Sequence, residues 1–222
     1  MPYGSGLLLA PSFTYQPRRP AERIARAHEG KVVVDLGAGG RRIVPWVQTV
    51  DFVATPGTDH VCDFVRGRTP FPDDSVDLVI ATGVLEHVED DRAFLAEVRR
   101  ILKRGGLVHI EIPFLQQYHE DPIDCRRYTE PGLARLLMQA GFRPEDGGVH
   151  IGPTVTMLTL TSYYLDLLFG GKRGKLGRMM GNLAFHGFSF VAWPLRYLDR
   201  WLIRRPQAHR LAFGVYCTAA KS

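Results

Sequence analysis

The sequence predicts an α/β fold built on a doubly wound parallel sheet, and three observations carry that reading. Lys31 to Leu36 reads K-V-V-V-D-L. Three β-branched residues in a row mark a strand buried on both faces. Further short apolar runs follow at Thr49–Val53, His60–Cys62, Val76–Ala81 and Leu107–Ile112. Between the last two, Phe94, Leu95, Val98, Ile101 and Leu102 recur at helical spacing. Strands alternating with helices imply parallel βαβ units. Such sheets bind ligands beyond the carboxyl ends of their strands.

The elements read in order as follows. Residues 1–20 hold four prolines and no periodic pattern, which predicts an extended N-terminal arm. Ala21 to Glu29 is a short helix stopped by Gly30. The helix from Asp90 to Lys103 is expected to end on Gly105-Gly106, because a helix C-cap favours glycine. Pro131 to Ala140 is a second amphipathic helix, with Thr129 as N-cap and Gly141 as stop. His209 to Ala219 is the final strand.

The bulk numbers fit a soluble globular chain. Its 222 residues are 45% apolar and 23% charged, enough for one domain with a buried core and an insertion. The net charge of +5 is unevenly spread. Residues 172–210 hold nine Arg/Lys and one acid, Asp199, whereas residues 1–171 hold eighteen Lys/Arg against twenty-two Asp/Glu. Cys62, Cys125 and Cys217 are three in number, widely spaced and without a C-x-x-C pair. That pattern suits a reducing, cytoplasmic compartment and argues against a disulfide framework or a zinc site. Leu7-Leu8-Leu9 is too short for a signal peptide and has no preceding basic residue.

The chemistry starts at Asp35-Leu36-Gly37-Ala38-Gly39-Gly40, directly after the first strand. Glycines there let the backbone turn tightly and approach a ligand. A dinucleotide fingerprint needs a third glycine at position 42, where this chain has Arg42. Asp35, two residues before Gly37, would repel a pyrophosphate. A cationic or neutral ligand therefore suits the turn, and an NAD(P)-dependent oxidoreductase is disfavoured. Asp51 ends the second strand, where a carboxylate can accept both hydroxyls of a ribose. Asp63 follows the third, where it can accept from an exocyclic amine.

These stretches resemble the class I S-adenosylmethionine (SAM)-dependent methyltransferases of the broad type-11 group. The resemblance lies in V-V-V-D-L-G-A-G-G (32–40), P-F-P-D-D-S-V-D-L-V-I-A (70–81), V-L-E-H-V (84–88) and R-I-L-K-R-G-G-L-V-H-I-E-I-P (100–113). It implies a Rossmann-like sheet of seven strands with the last antiparallel. It implies SAM as cofactor, held by a core at 30–150 within a single domain over 1–222. Asp35, Gly37, Ala38 and Gly39 would lie at its methionine part and Asp51 at its ribose. Asp63 and Phe64 would lie at the adenine, and Thr82 and Gly83 near the sulfonium. The segment from Gly39 to Asp51 is shorter than the usual helix and loop.

Gln116 to Thr129 (Q-Q-Y-H-E-D-P-I-D-C-R-R-Y-T) follows the fifth strand and is expected over the pocket mouth. His119, near a carboxylate, is the candidate general base by residue type. Asp121 is a candidate partner, and His87 in V-L-E-H-V the alternative base. The ordinary reading makes these residues turns, caps and ion pairs. A metal site from His119, Glu120 and Asp124 matches no known spacing, so no metal is expected. The loop pattern is similar to bacterial methyltransferases of glycan and envelope biosynthesis, which implies a small-molecule or glycan acceptor, expected at a hydroxyl. The alternatives are a non-methylating or non-catalytic protein on the same fold.

Residues 152–208 form an apolar and basic insertion before the final strand, 209–222. Neither Val155–Phe169 nor Met179–Trp193 gives a clean run of about 20 apolar residues, as a spanning helix needs. Trp, Phe and Leu flanked by Arg suit a helix at a membrane surface, here the inner one, or equally a lid or a homodimer contact. No nucleic-acid partner is expected, because no N-P-P-Y-like target-base motif occurs.

Overall fold

The structure, a computed structural model, describes residues 15–64, 67–119, 123–170 and 174–222. They group into two compact units. One comprises Arg18–Phe114, Tyr118–His150 and Gly214–Ser222. The other comprises Ile151–Phe213, Leu115–Gln117 and the described part of Met1–Pro17.

The first unit carries the expected seven-stranded sheet. Its strands are β1 (Val33–Leu36), β2 (Gln48–Asp51), β3 (His60–Val61), β4 (Val76–Thr82), β5 (Leu102–Pro113), β6 (Phe142–Ile151) and β7 (Gly214–Lys221). Their order is β3-β2-β1-β4-β5-β7-β6. β1 to β5 pair in parallel, and β7 runs antiparallel to β5, with Leu107 opposite Ala220. Chain order reverses between β1 and β4, and the crevice at such a switch point is where an open parallel sheet binds ligand. Val33, Val34 and Leu36 are fully buried, as a strand covered on both faces requires. Leu78 and Ile80 of β4 pack with Val44, Val47, Ala21 and Ala25.

The helices of this unit are α1 (Pro20–Ala27), α2 (Asp91–Ile101) and α3 (Glu130–Gln139). Asp90 caps α2, accepting from the N–H groups of Arg92 and Ala93, and Thr129 caps α3 through Gly132. The crossover from β1 to β2, residues 37–47, contains no helix.

Three expectations need correction. The helix expected to reach Lys103 stops at Ile101, and Leu102 is already extended. Gly105-Gly106 lie within β5, where the register slips: Val76 faces Leu102, but Leu78 faces Leu107. Gly105 takes φ +73° there, so the pair forms a bulge, not a cap. The final strand starts at Gly214, and Ala208–Leu211 is a 3-10 turn. A Cβ on Gly214 would lie 2.2 Å from His150 Nε2, so glycine admits the histidine at that point.

The second unit is helical: α4 (Pro153–Gly170), α5 (Gly174–Ala192), α6 (Asp199–Leu202) and the 3-10 segment Trp193–Leu198. Its core is Ile151, Val155, Leu158, Ala192 and Phe213. Asp199, completely buried, accepts from the N–H groups of Thr154 and Val155 at 2.9 and 3.1 Å. It thus caps α4 from 45 residues away. Among the described residues, no helix is long and apolar enough to cross a membrane.

Candidate active site

The loops that follow β1, β2, β3 and β4 converge on one cavity of about 680 Å³. Gly37, Gly39, Asp51, Asp63, Phe64 and Gly83 line it, together with His87, His119 and Ile123.

The glycine turn is shaped by backbone needs. Gly37, Gly39 and Gly40 all take positive φ, between +60° and +76°. At Gly37 a Cβ would fall 2.4 Å from Val84 Cγ2, so any side chain there would collide with the loop after β4. Gly37 donates to Val50 O at 2.8 Å and Gly39 donates to Asp51 Oδ2 at 2.7 Å. Asp51 therefore ties the turn to the end of β2. Its Oδ1 accepts from Val53 N–H at 3.1 Å. Arg42 is engaged elsewhere: it donates to both oxygens of Asp59 at 2.8 Å and to Val47 O. The residue that breaks the dinucleotide fingerprint thus pins the crossover.

Asp35 lies beneath the turn, with 2% of its surface exposed and no hydrogen-bond partner for Oδ1 among the described residues. Burial, reinforced by the charges of Glu111 and Asp51, raises its pKa to about 8. Glu111 of β5 behaves oppositely. His150 Nδ1 lies 3.1 Å from its Oε2 and His109 Nε2 3.3 Å from its Oε1, and Ala21 N–H donates to that same Oε1. Burial disfavours its charge, but these partners outweigh that and hold its pKa well below the usual carboxylate range. One acid is kept charged by its donors, and the other is left short of them.

The same cavity also brings a histidine against an acid. His119 Nδ1 sits 3.2 Å from Asp124 Oδ2, and the same oxygen accepts from the His119 N–H at 2.9 Å. Arg127 grips both oxygens of Asp124 and brings Nη2 to 3.5 Å from His119 Nδ1. His87 Nδ1 is 2.5 Å from Ile123 O, and its ring packs edge-on against His119 with centroids 5.1 Å apart. Arg126 and Tyr128 both bind Asp91, which fastens the loop to the start of α2.

The structure thus brings Gly37, Gly39, Asp51, Asp63, Phe64, Gly83, His87 and His119 to one cavity. Asp35 lies just below it. Ala38 and Thr82 are half-buried and do not line it. Asp121 lies outside the described residues. Sequence reasoning gave no role to Thr55, Val84 or Glu111, and read Asp124 as an ion-pair member or as part of a metal trio that matched no known spacing. Glu111 did leave a signal: a charged residue inside the apolar strand H-I-E-I-P demands a partner. Asp124 became legible only once the loop folded it onto His119.

The fold has known counterparts. The strand order, the antiparallel β7 and the glycine turn after β1 make this the fold of the class I SAM-dependent methyltransferases, as the sequence resemblance implies. Residues 34–110 match the family model described as a methyltransferase domain. A probable SAM-dependent methyltransferase of Mycolicibacterium smegmatis is 34% identical over 83 residues, which cover 35% of this chain and 32% of that protein. The chain therefore matches about a third of the length of that curated relative. A 1,6-didemethyltoxoflavin-N1-methyltransferase of Burkholderia thailandensis, solved with S-adenosylhomocysteine, superposes with a TM-score of 0.54 at 21% identity, covering 93% of this chain and 78% of its own. The [4+2]-cyclase SpnF superposes with the same TM-score at 15% identity, covering 97% and 87%. At these identities the solved structures speak for the fold alone.

Proposed function

We propose that the protein is a SAM-dependent methyltransferase that methylates a hydroxyl of a small-molecule or glycan acceptor. The observation that carries this reading is the pairing of two faces in one cavity: a glycine turn above an under-solvated carboxylate, facing a histidine oriented by an acid. The residues fit SAM. Asp35 Oδ1 is a buried acceptor short of donors, and a ligand with a cationic ammonium and sulfonium supplies the missing charge. Gly37 and Gly39 line the cavity at positive φ, and a Cβ on Gly39 would meet no protein atom within 4 Å, which leaves the backbone open to a ligand. Asp51 and Asp63 stand at the ends of β2 and β3, where ribose and adenine would lie.

SAM supplies a methyl group on positively charged sulfur, so no further activation of the carbon is needed. The chain's task is alignment, for which roughly 7–11 kcal/mol is available, and proton removal. A hydrogen on His119 Nδ1, 3.2 Å from Asp124 Oδ2, would leave the Nε2 lone pair to take the acceptor proton. With SAM bound, the methyl would pass from sulfur to the acceptor oxygen, and His119 Nε2 would take the hydroxyl proton.

Calorimetry with SAM and with NADP+ is the test, followed by methyl-transfer assays over pooled hydroxylated metabolites and glycans. Heat with SAM alone, and a methylated product, is the expected outcome. A non-methylating reading stands second, because a protein named as a [4+2]-cyclase shares the fold. It predicts SAM affinity without loss of the methyl group.

For the helical unit we propose a contact with anionic membrane surfaces. Leu167, Phe190 and Val191 are 79%, 72% and 80% exposed, Trp201 is also exposed, and Arg205 stacks 3.9 Å over the Trp201 ring. Exposed apolar side chains beside Arg and Lys suit a bilayer interface. The protein is expected to co-sediment with vesicles containing phosphatidylglycerol and not with phosphatidylcholine alone. The F190E/V191E variant should remain in the supernatant. Concentration-dependent dimerisation that the same variant abolishes, without vesicle binding, would assign the surface to a second copy instead.

A further inference from the structure

Glu86, His87 and His119 each offer one donor atom, and these atoms all lie within 4.8 Å of one another. We propose that this trio binds a divalent cation of the zinc or cobalt type beside the cavity, with its open positions facing the acceptor.

Three further features of the geometry favour a cation. His87 Nδ1 lies 2.5 Å from a backbone carbonyl, that of Ile123, so it is the N–H nitrogen and the lone pair is on Nε2. That Nε2 is 3.8 Å from Glu86 Oε1. His119 Nδ1 lies 3.2 Å from the Asp124 carboxylate, which is itself gripped by Arg127. Imidazoles fixed in this way, by a carbonyl or carboxylate behind the ring, are the second-sphere arrangement that orients metal ligands. Finally, Glu86 is 2% exposed and its Oε2 has no hydrogen-bond partner among the described residues. Burying an unpartnered carboxylate is costly, and a cation meets that cost directly.

The donor set narrows the metal. Two neutral imidazoles and one carboxylate suit borderline ions and poorly suit calcium or magnesium, which prefer all-oxygen cages. Three protein ligands leave coordination positions for an outside oxygen, the pattern of catalytic and not of structural sites. His87 and His119 line the cavity, so those positions open into it.

The inference rests on the proposed methyl transfer and changes the way His119 serves. As a ligand it holds the cation, and the cation makes a bound hydroxyl acidic. The O–H proton then leaves to solvent, the O–CH3 bond forms and the S–CH3 bond breaks.

Cobalt(II) is the probe. The EDTA-stripped full-length protein is titrated with CoCl2 and followed by visible absorption and by calorimetry, without SAM. One cobalt per chain with a visible ligand-field band is expected. H119Q and H87Q should each weaken binding at least 10-fold, E86Q should also weaken it, and H28Q should leave it unchanged. Circular dichroism establishes that each variant is folded. Cobalt binding that is absent, or that all three site variants retain at full strength, overturns the inference. A separate SAM titration keeps the two readings apart. SAM binding without cobalt binding removes the cation site and leaves methyl transfer standing. Cobalt binding without SAM binding does the reverse.

Discussion

His119→Ala is expected to lower kcat by about 10²–10⁴-fold, the usual contribution of assisted proton removal from the acceptor, while leaving the Kd for SAM within about twofold. The split follows from geometry. His119 is held by Asp124 and Arg127 on the loop after β5, whereas the turn that would receive SAM is built by Gly37, Gly39, Asp51 and Asp35. Removing the imidazole therefore removes chemistry and not affinity. Asp124→Asn should cost less than His119→Ala, because the amide can still accept from Nδ1 but no longer stabilises the imidazolium. Kinetics at saturating SAM, with binding measured separately, decides the matter. Full turnover by the alanine variant would take His119 out of the reaction.

The second large effect is at Asp35. The unfolded carboxyl titrates near 3.8, and the folded one near 8, because burial disfavours its charge and Glu111 and Asp51 add repulsion. Between these values the unfolded chain gives up a proton that the folded chain keeps. Stability is therefore fully present below the lower value and is lost as pH rises toward about 8. The shift corresponds to roughly 6 kcal/mol across that window. Asp35→Asn, which carries no charge to bury, should flatten the loss and raise Tm relative to the parent at pH 8. Because SAM is cationic, it should draw Asp35 into its charged form and release a proton on binding near pH 7. Calorimetry in two buffers of different ionisation enthalpy reads that proton directly. Asp35→Asn should abolish the release and weaken SAM binding at least 10-fold. A parent protein whose stability does not change between pH 5 and 8 would contradict the burial argument.

The parts of the fold that were legible in the sequence are those where local pattern and tertiary role agree. The valines of β1 have one way to be buried, and the glycines after them have one purpose. The acids at the ends of β2 and β3 could be placed because a parallel sheet aligns its strand ends. Gly105-Gly106 misled because glycine after an apolar helical run is equally a cap or a bulge. The difference is set by pairing with β4, 26 residues upstream of Leu102. β6 carries R-P-E-D-G-G in its first half, which reads as a turn, and only the neighbouring β7 makes it a strand. Glu86 was legible only as a structural acid or a SAM contact. V-L-E-H-V drew attention to its histidine, while the acid gains meaning only beside His119, 33 residues away and on another loop.

The account turns on a sulfonium nucleoside occupying the space above Asp35. Titration of the folded, full-length protein with S-adenosylhomocysteine and SAM at pH 7 tests it most directly. The prediction is one site per chain, with proton release on binding SAM that is absent in Asp35→Asn. A folded protein that gives no heat with either nucleoside would contradict it.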